Sequence, residues 1–204
     1  MERAPQLIVL GPPGAGKGTQ AARLAERFGL ARIGPGEILR QKAQADSPSG
    51  QRIRAAMVAG ELAPDELIDE LVRERLEALS PGHGFVLDGY PRTAAQAETL
   101  HQTLAQLGRL DRRPLVVWLD VTRKELLRRL RRRRQVEGRA DDTEEAVARR
   151  MATHEARAGG VRKALESWAD VIVIDGDQEP DEVTRALVQS VERRASRPQA
   201  AHLR

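Results

Sequence analysis

At 204 residues, with 40% hydrophobic and 31% charged residues and a net charge of +4, the chain fits one globular domain with a substantial core. This balance excludes a disordered chain and a membrane-embedded one, and the lack of cysteine excludes a disulfide framework or a thiolate metal site. The apolar run nearest the start, Leu7-Ile8-Val9-Leu10, is too short for a signal peptide, so the expected location is cytoplasmic.

That run reads as a buried strand, and it breaks at once into Gly11-Pro-Pro-Gly-Ala-Gly-Lys-Gly-Thr-Gln20 before a helix opens at Ala21. Gly11, Gly14 and Gly16 allow backbone angles closed to other residues, so successive N–H groups can face one phosphate. The helix adds its positive dipole end, and Lys17 adds a mobile charge for the outer phosphates. Spacing and strand–loop–helix context together give the P-loop pattern. The general pattern places a hydroxyl directly after the lysine to hold a metal ion. Here Gly18 stands there and Thr19 follows, so the metal is expected to lean on phosphate oxygens and water.

Ala31-Arg32-Ile33 is a weaker strand candidate. Residues 34–63 look inserted: Gly34-Pro35-Gly36 and Ser47-Pro48-Ser49-Gly50 read as turns, and the stretch as a mobile flap. Pro64-Asp65 signals a helix whose apolar positions Leu67, Ile68, Leu71, Val72, Leu76 and Leu79 recur at helical spacing. Three further apolar runs each end in an acid: Phe85-Val86-Leu87 before Asp88, Leu115 to Leu119 before Asp120, and Val171 to Ile174 before Asp175. Uninterrupted runs separated by helices read as strands covered on both faces. The expected fold is therefore α/β, a doubly wound parallel sheet of about five strands with two small mobile flaps. Ligands then bind at the carboxyl ends of the strands. The tail 193–204 loses periodicity and is expected to be flexible.

Asp88-Gly89-Tyr90-Pro91-Arg92-Thr93 falls at such a strand end. Asp88 there can hold the water shell of a magnesium ion near Lys17. On the Arg128–Arg134 helix, Leu126, Leu127 and Leu130 define the buried stripe. At about 100° per residue, Arg129 and Arg133 lie at its edge while Arg128 and Arg132 point away. An arginine at the edge of a buried stripe needs an anionic partner. Gln135 to Asp142 reads as a short polar link, after which Asp142 with Glu145 is spaced as a capping box. Arg139 lies on that link, and Arg150 sits beside Met151 at the edge of the next apolar stripe. His83, His101, His154 and His202 show no evident partner in the sequence.

These pieces, in this order, resemble adenylate kinases of the short-lid type, from Gln6 to about Val191. The resemblance rests on Gly11–Gln20, Gly36-Glu-Ile-Leu-Arg40, Asp88–Thr93 with Gln96, and Arg139-x-Asp-Asp-x-Glu-Glu. It implies that Gly14, Ala15, Gly16, Lys17, Gly18 and Thr19 wrap the ATP phosphates, with Arg129 and Arg133 on the same phosphates and Gln178 near the ATP base. It places AMP against Pro35, Arg40, Glu61, Leu62, Ala63, Gly89, Tyr90, Pro91, Arg92 and Gln96. Arg139 and Arg150 would meet the AMP phosphate and the transferred group. Residues 34–63 would be the nucleoside-monophosphate flap and 134–142 a lid reduced to a loop. The cofactor implied is Mg²⁺ carried with ATP, without zinc. The partners are ATP, AMP and ADP, with no nucleic acid or membrane and with the chain acting as a monomer. Where the family has Ser/Thr-Thr-Gly-Asp, this chain has Gly34-Pro35-Gly36-Glu37, and Pro35 removes a hydroxyl and a donor beside the AMP base. The family's Thr-x-Pro and paired tyrosines after the lid helix are also replaced, by Ala158-Gly159-Gly160 and Ala164-Leu165.

Two other readings stay open on the residues alone. Gly36-Glu37 leans towards a UMP/CMP kinase of the same fold, whereas Thr93 and Gln96 lean back to AMP. An arginine-rich nucleic-acid binder using the P-loop as a switch would instead engage Arg128, Arg131 and Arg132.

Overall fold

A computed structural model describes residues 4–44, 51, 53–56, 64–137 and 142–195. The chain runs β1 (Gln6–Leu10), α1 (Lys17–Phe28), β2 (Ala31–Ile33), α2 (Pro35–Gln44), α3 (Asp65–Glu77), β3 (Phe85–Asp88) and α4 (Ala94–Gln106). It continues through β4 (Leu115–Asp120), α5 (Arg123–Glu137), α6 (Glu144–Glu166), β5 (Asp170–Asp175) and α7 (Pro180–Ala195). The sheet order is β2-β3-β1-β4-β5, and every neighbouring pair is parallel. This is the doubly wound P-loop fold expected above.

Side-chain alternation along the strands divides the core into two layers. Ile8, Leu10, Phe85, Leu87 and Val116 face a layer closed by Leu71 and Leu76 of α3, Leu100 and Leu104 of α4, and Leu165 of α6. Leu7, Val9, Val86, Leu115 and Val117 face the other, closed by Leu24 of α1, Leu126 and Leu130 of α5, and Leu187 of α7. A run such as Leu7 to Leu10 is apolar at every position because both faces are covered. The fifth strand departs from that expectation. It is one of the two sheet edges, and Val173 is 47% exposed, so an apolar run there did not mean double coverage.

Four local expectations are corrected. Gln135 to Glu137, expected in the polar link, instead complete α5. Gly34-Pro35-Gly36 is a helix start rather than a turn, with Pro35 as the first residue of α2. Proline suits that position because its fixed φ is helical and its missing N–H would have had no intrahelical partner. The cap of α6 is Thr143, whose hydroxyl accepts from the Ala146 N–H at 3.2 Å. Asp142 has the spacing for a cap, but its carboxylate is drawn inward to two arginines instead. The residues from Arg193 to Ala195 complete α7, while 196–204 lie outside the described residues.

Candidate active site

The carboxyl ends of β1 and β3 lie side by side, with Val9 in register with Asp88. From the first the chain turns through Gly11–Gly16 into α1, and from the second through Gly89–Thr93 into α4. This is the edge where a doubly wound sheet leaves a crevice. Gly14 has φ of +87°, and a Cβ there would stand 2.9 Å from Leu130 Cγ and 3.0 Å from the Leu126 carbonyl oxygen. The loop is therefore pressed against α5, the helix that carries the arginines. Gly89 closes the other side: at φ +72°, an added Cβ would lie 3.3 Å from Lys17 Cε and 3.5 Å from Arg92 Nη2.

Lys17 folds back on its own loop and donates to the carbonyls of Gly11 and Pro12, both at 2.8 Å. Burial, then the positive charge of Arg92, with further contributions from Arg133 and Arg150, lowers its pKa to about 7, against the opposing pull of Asp88. Arg92 donates from Nε to the Gly89 carbonyl at 2.7 Å. Burial lowers its pKa too; Asp88 opposes this, while Arg150 and Arg40 add to it. A Cβ on Gly36 would meet Arg40 Nη1 at 3.5 Å and Arg92 Nη2 at 3.7 Å, so α2 brings Arg40 to the same place. Lys17, Arg40, Arg92, Arg133 and Arg150 thus come from five elements into one electropositive cluster beside Asp88.

Arginine orientation on α5 follows the helical wheel. Arg129 and Arg133 are 24% and 26% exposed, against 62% for Arg128. Arg133 grips Asp142 with two hydrogen bonds, Nε to Oδ2 and Nη2 to Oδ1, each 2.6 Å, and Arg150 Nη2 reaches Oδ1 at 2.6 Å. Burial alone would raise the Asp142 carboxyl. The hydrogen bond and charge of Arg133, then those of Arg150, overcome this and hold it below the usual carboxylate value. Arg129 turns to Glu125 at 2.6 Å and also approaches the Gln178 carbonyl at 3.5 Å. The Gln178 side chain donates to Asp175 at 3.2 Å.

Gln96 is 2% exposed and its amide is fully engaged: Oε1 accepts from the Arg92 N–H at 2.7 Å and Nε2 donates to Asp65 at 2.9 Å. Thr93 caps α4 through the Gln96 N–H and donates its hydroxyl to Asp65 at 2.7 Å. Tyr90, 1% exposed, donates to Asp69 at 2.6 Å, which anchors the loop to α3. Pro35 is buried and Pro91 sits within the loop beside these groups. Arg139, Glu61, Leu62 and Ala63 lie outside the described residues.

Five residues escaped the sequence reading. Asp142 looked like a cap, although the doubled acid before Thr143 offered one more carboxylate than a cap requires. Asp65 looked like the first turn of α3. Arg32 pairs with Asp88, Nη2 to Oδ2 at 2.8 Å, which nothing in a three-residue strand would announce. His154 was read as partnerless, but its ring lies 5.9 Å from that of Trp118. Burial, then Lys17 and Arg92, depresses its pKa to about 4, which keeps it neutral at pH 7. His101, likewise, stacks on Trp168 at 5.2 Å.

Comparison with known proteins gives the family. An adenylate kinase from Thermus thermophilus is 42% identical over 183 residues, covering 90% of this chain and 95% of that protein. The adenylate kinase from a Nocardioides species is 42% identical over 188 residues, covering 92% and 97%. That from Micrococcus luteus is 37% identical over 186 residues, covering 91% and 90%. The sequence profile of the family described as "Adenylate kinase" matches residues 9–168, and the chain belongs to that family.

Proposed function

We propose that the chain transfers the terminal phosphoryl group of Mg²⁺-ATP to AMP, reversibly, giving two molecules of ADP. The observation that carries this reading is the convergence of Lys17, Arg40, Arg92, Arg133 and Arg150 over one glycine-rich loop. Bringing ATP and AMP end to end assembles roughly six negative charges, of which a divalent ion offsets only two. Forked, permanently charged guanidinium groups suit a phosphoryl group in flight. The acceptor is an ionised phosphate, so no general base is required, which agrees with a His154 that is neutral and packed on Trp118.

In this reading the loop from Gly14 to Thr19 holds the ATP phosphates, and Lys17 leaves the Gly11 and Pro12 carbonyls to follow them. Arg129 and Arg133 bind the same phosphates from α5, with the adenine near Gln178. Arg40 and Arg92 hold the AMP phosphate, with Arg139 and Arg150 on the moving group. Gly89, Tyr90, Pro91, Gln96, Pro35 and Glu61 to Ala63 form the AMP pocket. Gln96 would meet the base by giving up Asp65. Asp142 releases Arg133 and Arg150 as the phosphates replace its carboxylate.

A magnesium ion fits the donor set: Asp88 is a hard oxygen donor, and its Oδ2 would lie 3.3 Å from a Cβ at Gly18, next to Lys17. When bound, the ion neutralises charge on the transferring phosphates. Asp88 would hold it through water. Closure of 34–63 and of the 134–142 lid over both nucleotides would keep water, the competing acceptor, away from the γ-phosphate. The same reading has a monomer working on free nucleotides in the cytoplasm, without zinc; among the described residues no helix is long and apolar enough to cross a membrane.

Steady-state turnover with AMP, CMP, UMP and GMP tests the assignment. AMP is expected to be preferred by at least tenfold, the span of about 1.4 kcal/mol in transition-state binding. A pyrimidine preference would overturn it in favour of a UMP/CMP kinase.

A further inference from the structure

Arg32 lies outside the cluster of cations over the loop, and its partner gives it a mechanical consequence. It comes from β2, between half-buried Ala31 and buried Ile33, and its guanidinium reaches across the sheet end to Asp88. Nη2 stands 2.8 Å from Asp88 Oδ2 and 3.4 Å from Glu37 Oε2. The two acids differ in setting, since the Asp88 side chain is 14% exposed and that of Glu37 is 51%. Asp88 belongs to the rigid sheet, whereas Glu37 lies in the first turn of α2, at the entry to the 34–63 segment.

Gly18 explains why the pair fits. A Cβ at that position would lie 3.3 Å from Asp88 Oδ2 and 3.4 Å from Arg32 Nη2, tight against both. The residue after the lysine thus has no side chain, and the guanidinium stands where one would project. Asp88 therefore carries a cation of its own in the free protein. A guanidinium and the water shell of a divalent ion, drawn to the same carboxylate, repel one another and compete for the same oxygen.

We propose that Arg32 is an internal competitor for the Asp88 carboxylate, which it yields to a metal-bound nucleotide by moving fully onto Glu37. This rests on Asp88 being the carboxylate that faces the metal. The exchange makes Arg32 a positioning residue: it never touches the reacting atoms, but it ties arrival of the metal–nucleotide to an ion pair on α2. A partly exposed pair of this kind shifts a competing equilibrium by about fivefold.

The test measures ADP affinity by calorimetry in EDTA and again with saturating Mn²⁺, on the full chain. The readout is the factor by which Mn²⁺ tightens ADP, with Mn²⁺ binding to the ADP complex followed by electron paramagnetic resonance. Arg32→Gln is expected to raise that factor about fivefold. Glu37→Gln lowers it, because the displaced guanidinium loses its acceptor. The double variant behaves as Arg32→Gln alone, and Arg32→Lys falls between that variant and the unaltered protein. If Arg32→Gln weakens ADP equally with and without Mn²⁺, Arg32 is a phosphate contact and the proposal is overturned. Asp88→Asn separates the two levels. Loss of the Mn²⁺ effect in Asp88→Asn with no shift in Arg32→Gln sinks only the role of Arg32. An unchanged Mn²⁺ effect in Asp88→Asn sinks the reading of Asp88 itself.

Discussion

The cations of the site fall into two groups that are held in opposite ways. Lys17 and Arg92 rest on neutral backbone carbonyls, at 2.7 to 2.8 Å, and their charged forms are disfavoured by burial and by neighbouring cations, Arg92 for Lys17 and Arg150 and Arg40 for Arg92. Arg133 and Arg150 share the fully buried Asp142 carboxylate, which offsets one of their two charges before any ligand arrives. The first pair is poised: an incoming phosphate would relieve the repulsion from neighbouring cations. The second already holds an anion and would exchange it for another. Binding strength and folding stability therefore draw on different residues.

The largest effect should come from the poised pair. Lys17→Met or Arg92→Ala is expected to lower turnover by about a thousandfold or more, since in the proposed reaction each supplies charge to the transferring phosphoryl. Steady-state assays with folding checked by circular dichroism decide it. A tenfold loss or less would mean that the two groups are not distinct in function.

Asp142→Asn probes the second pair through stability. Breaking a fully buried ion pair costs about 3–5 kcal/mol, and the partial exposure of both arginines reduces this to about 2 kcal/mol. The pH dependence has a fixed sign. The folded-state pKa of Asp142 is depressed, so its contribution is complete above the ordinary carboxylate value and disappears as pH falls through the folded one. Urea unfolding of both proteins should show a constant gap near neutrality that closes under acid. A gap that ignores pH would reduce Asp142 to a packing role.

How much of this could be read in the sequence depended on the range of the interaction. The P-loop, the Asp88–Thr93 turn and the inward set of Arg129 and Arg133 are local patterns, in which strand alternation and helical period dictate direction. The partners were harder because they are tertiary. Asp142 meets Arg150 from eight positions away and Arg133 from nine, across a helix junction. Arg32 meets Asp88 from 56 positions away, through neighbouring strands. Spacing says which side of a helix is buried, but not which acid lies opposite. The edge strand β5 and the helical start at Pro35 went astray for the same reason: each was judged on composition, while neighbours in space decided it.

Lys17 gives the comparison a proton count. Near pH 8 a lysine with a pKa of about 7 is mostly neutral in the free protein, and a bound phosphate would restore its charge. ADP binding at pH 8 should then take up about one proton, and affinity should fall as pH rises through the free-protein value. The unfolded chain holds that proton up to the ordinary lysine value of 10.5, so stability of the free protein rises with pH between the two. Calorimetry in buffers of different ionisation enthalpy measures the uptake, and Lys17→Met should abolish it. Uptake that survives in that variant would move the titrating group elsewhere in the cluster.

The smallest effect should lie on the outward face of α5, and its smallness is informative. Arg128 donates twice to Glu125 at 2.6 Å, and Arg128 with Arg129 depresses the Glu125 carboxyl to about 2, so this pair serves the helix surface. Arg132 is exposed on the same side. Arg132→Ala should change turnover by less than about twofold, the usual reach of a surface substitution. Arg133→Ala, one residue along the helix and turned inward, should cost about a hundredfold. Equal losses at the two would mean that helix orientation does not sort these arginines. If Arg132→Ala instead abolished salt-sensitive binding of RNA and left AMP phosphorylation absent in both proteins, the arginine run would be a nucleic-acid surface and the cluster beside Lys17 a switch without turnover.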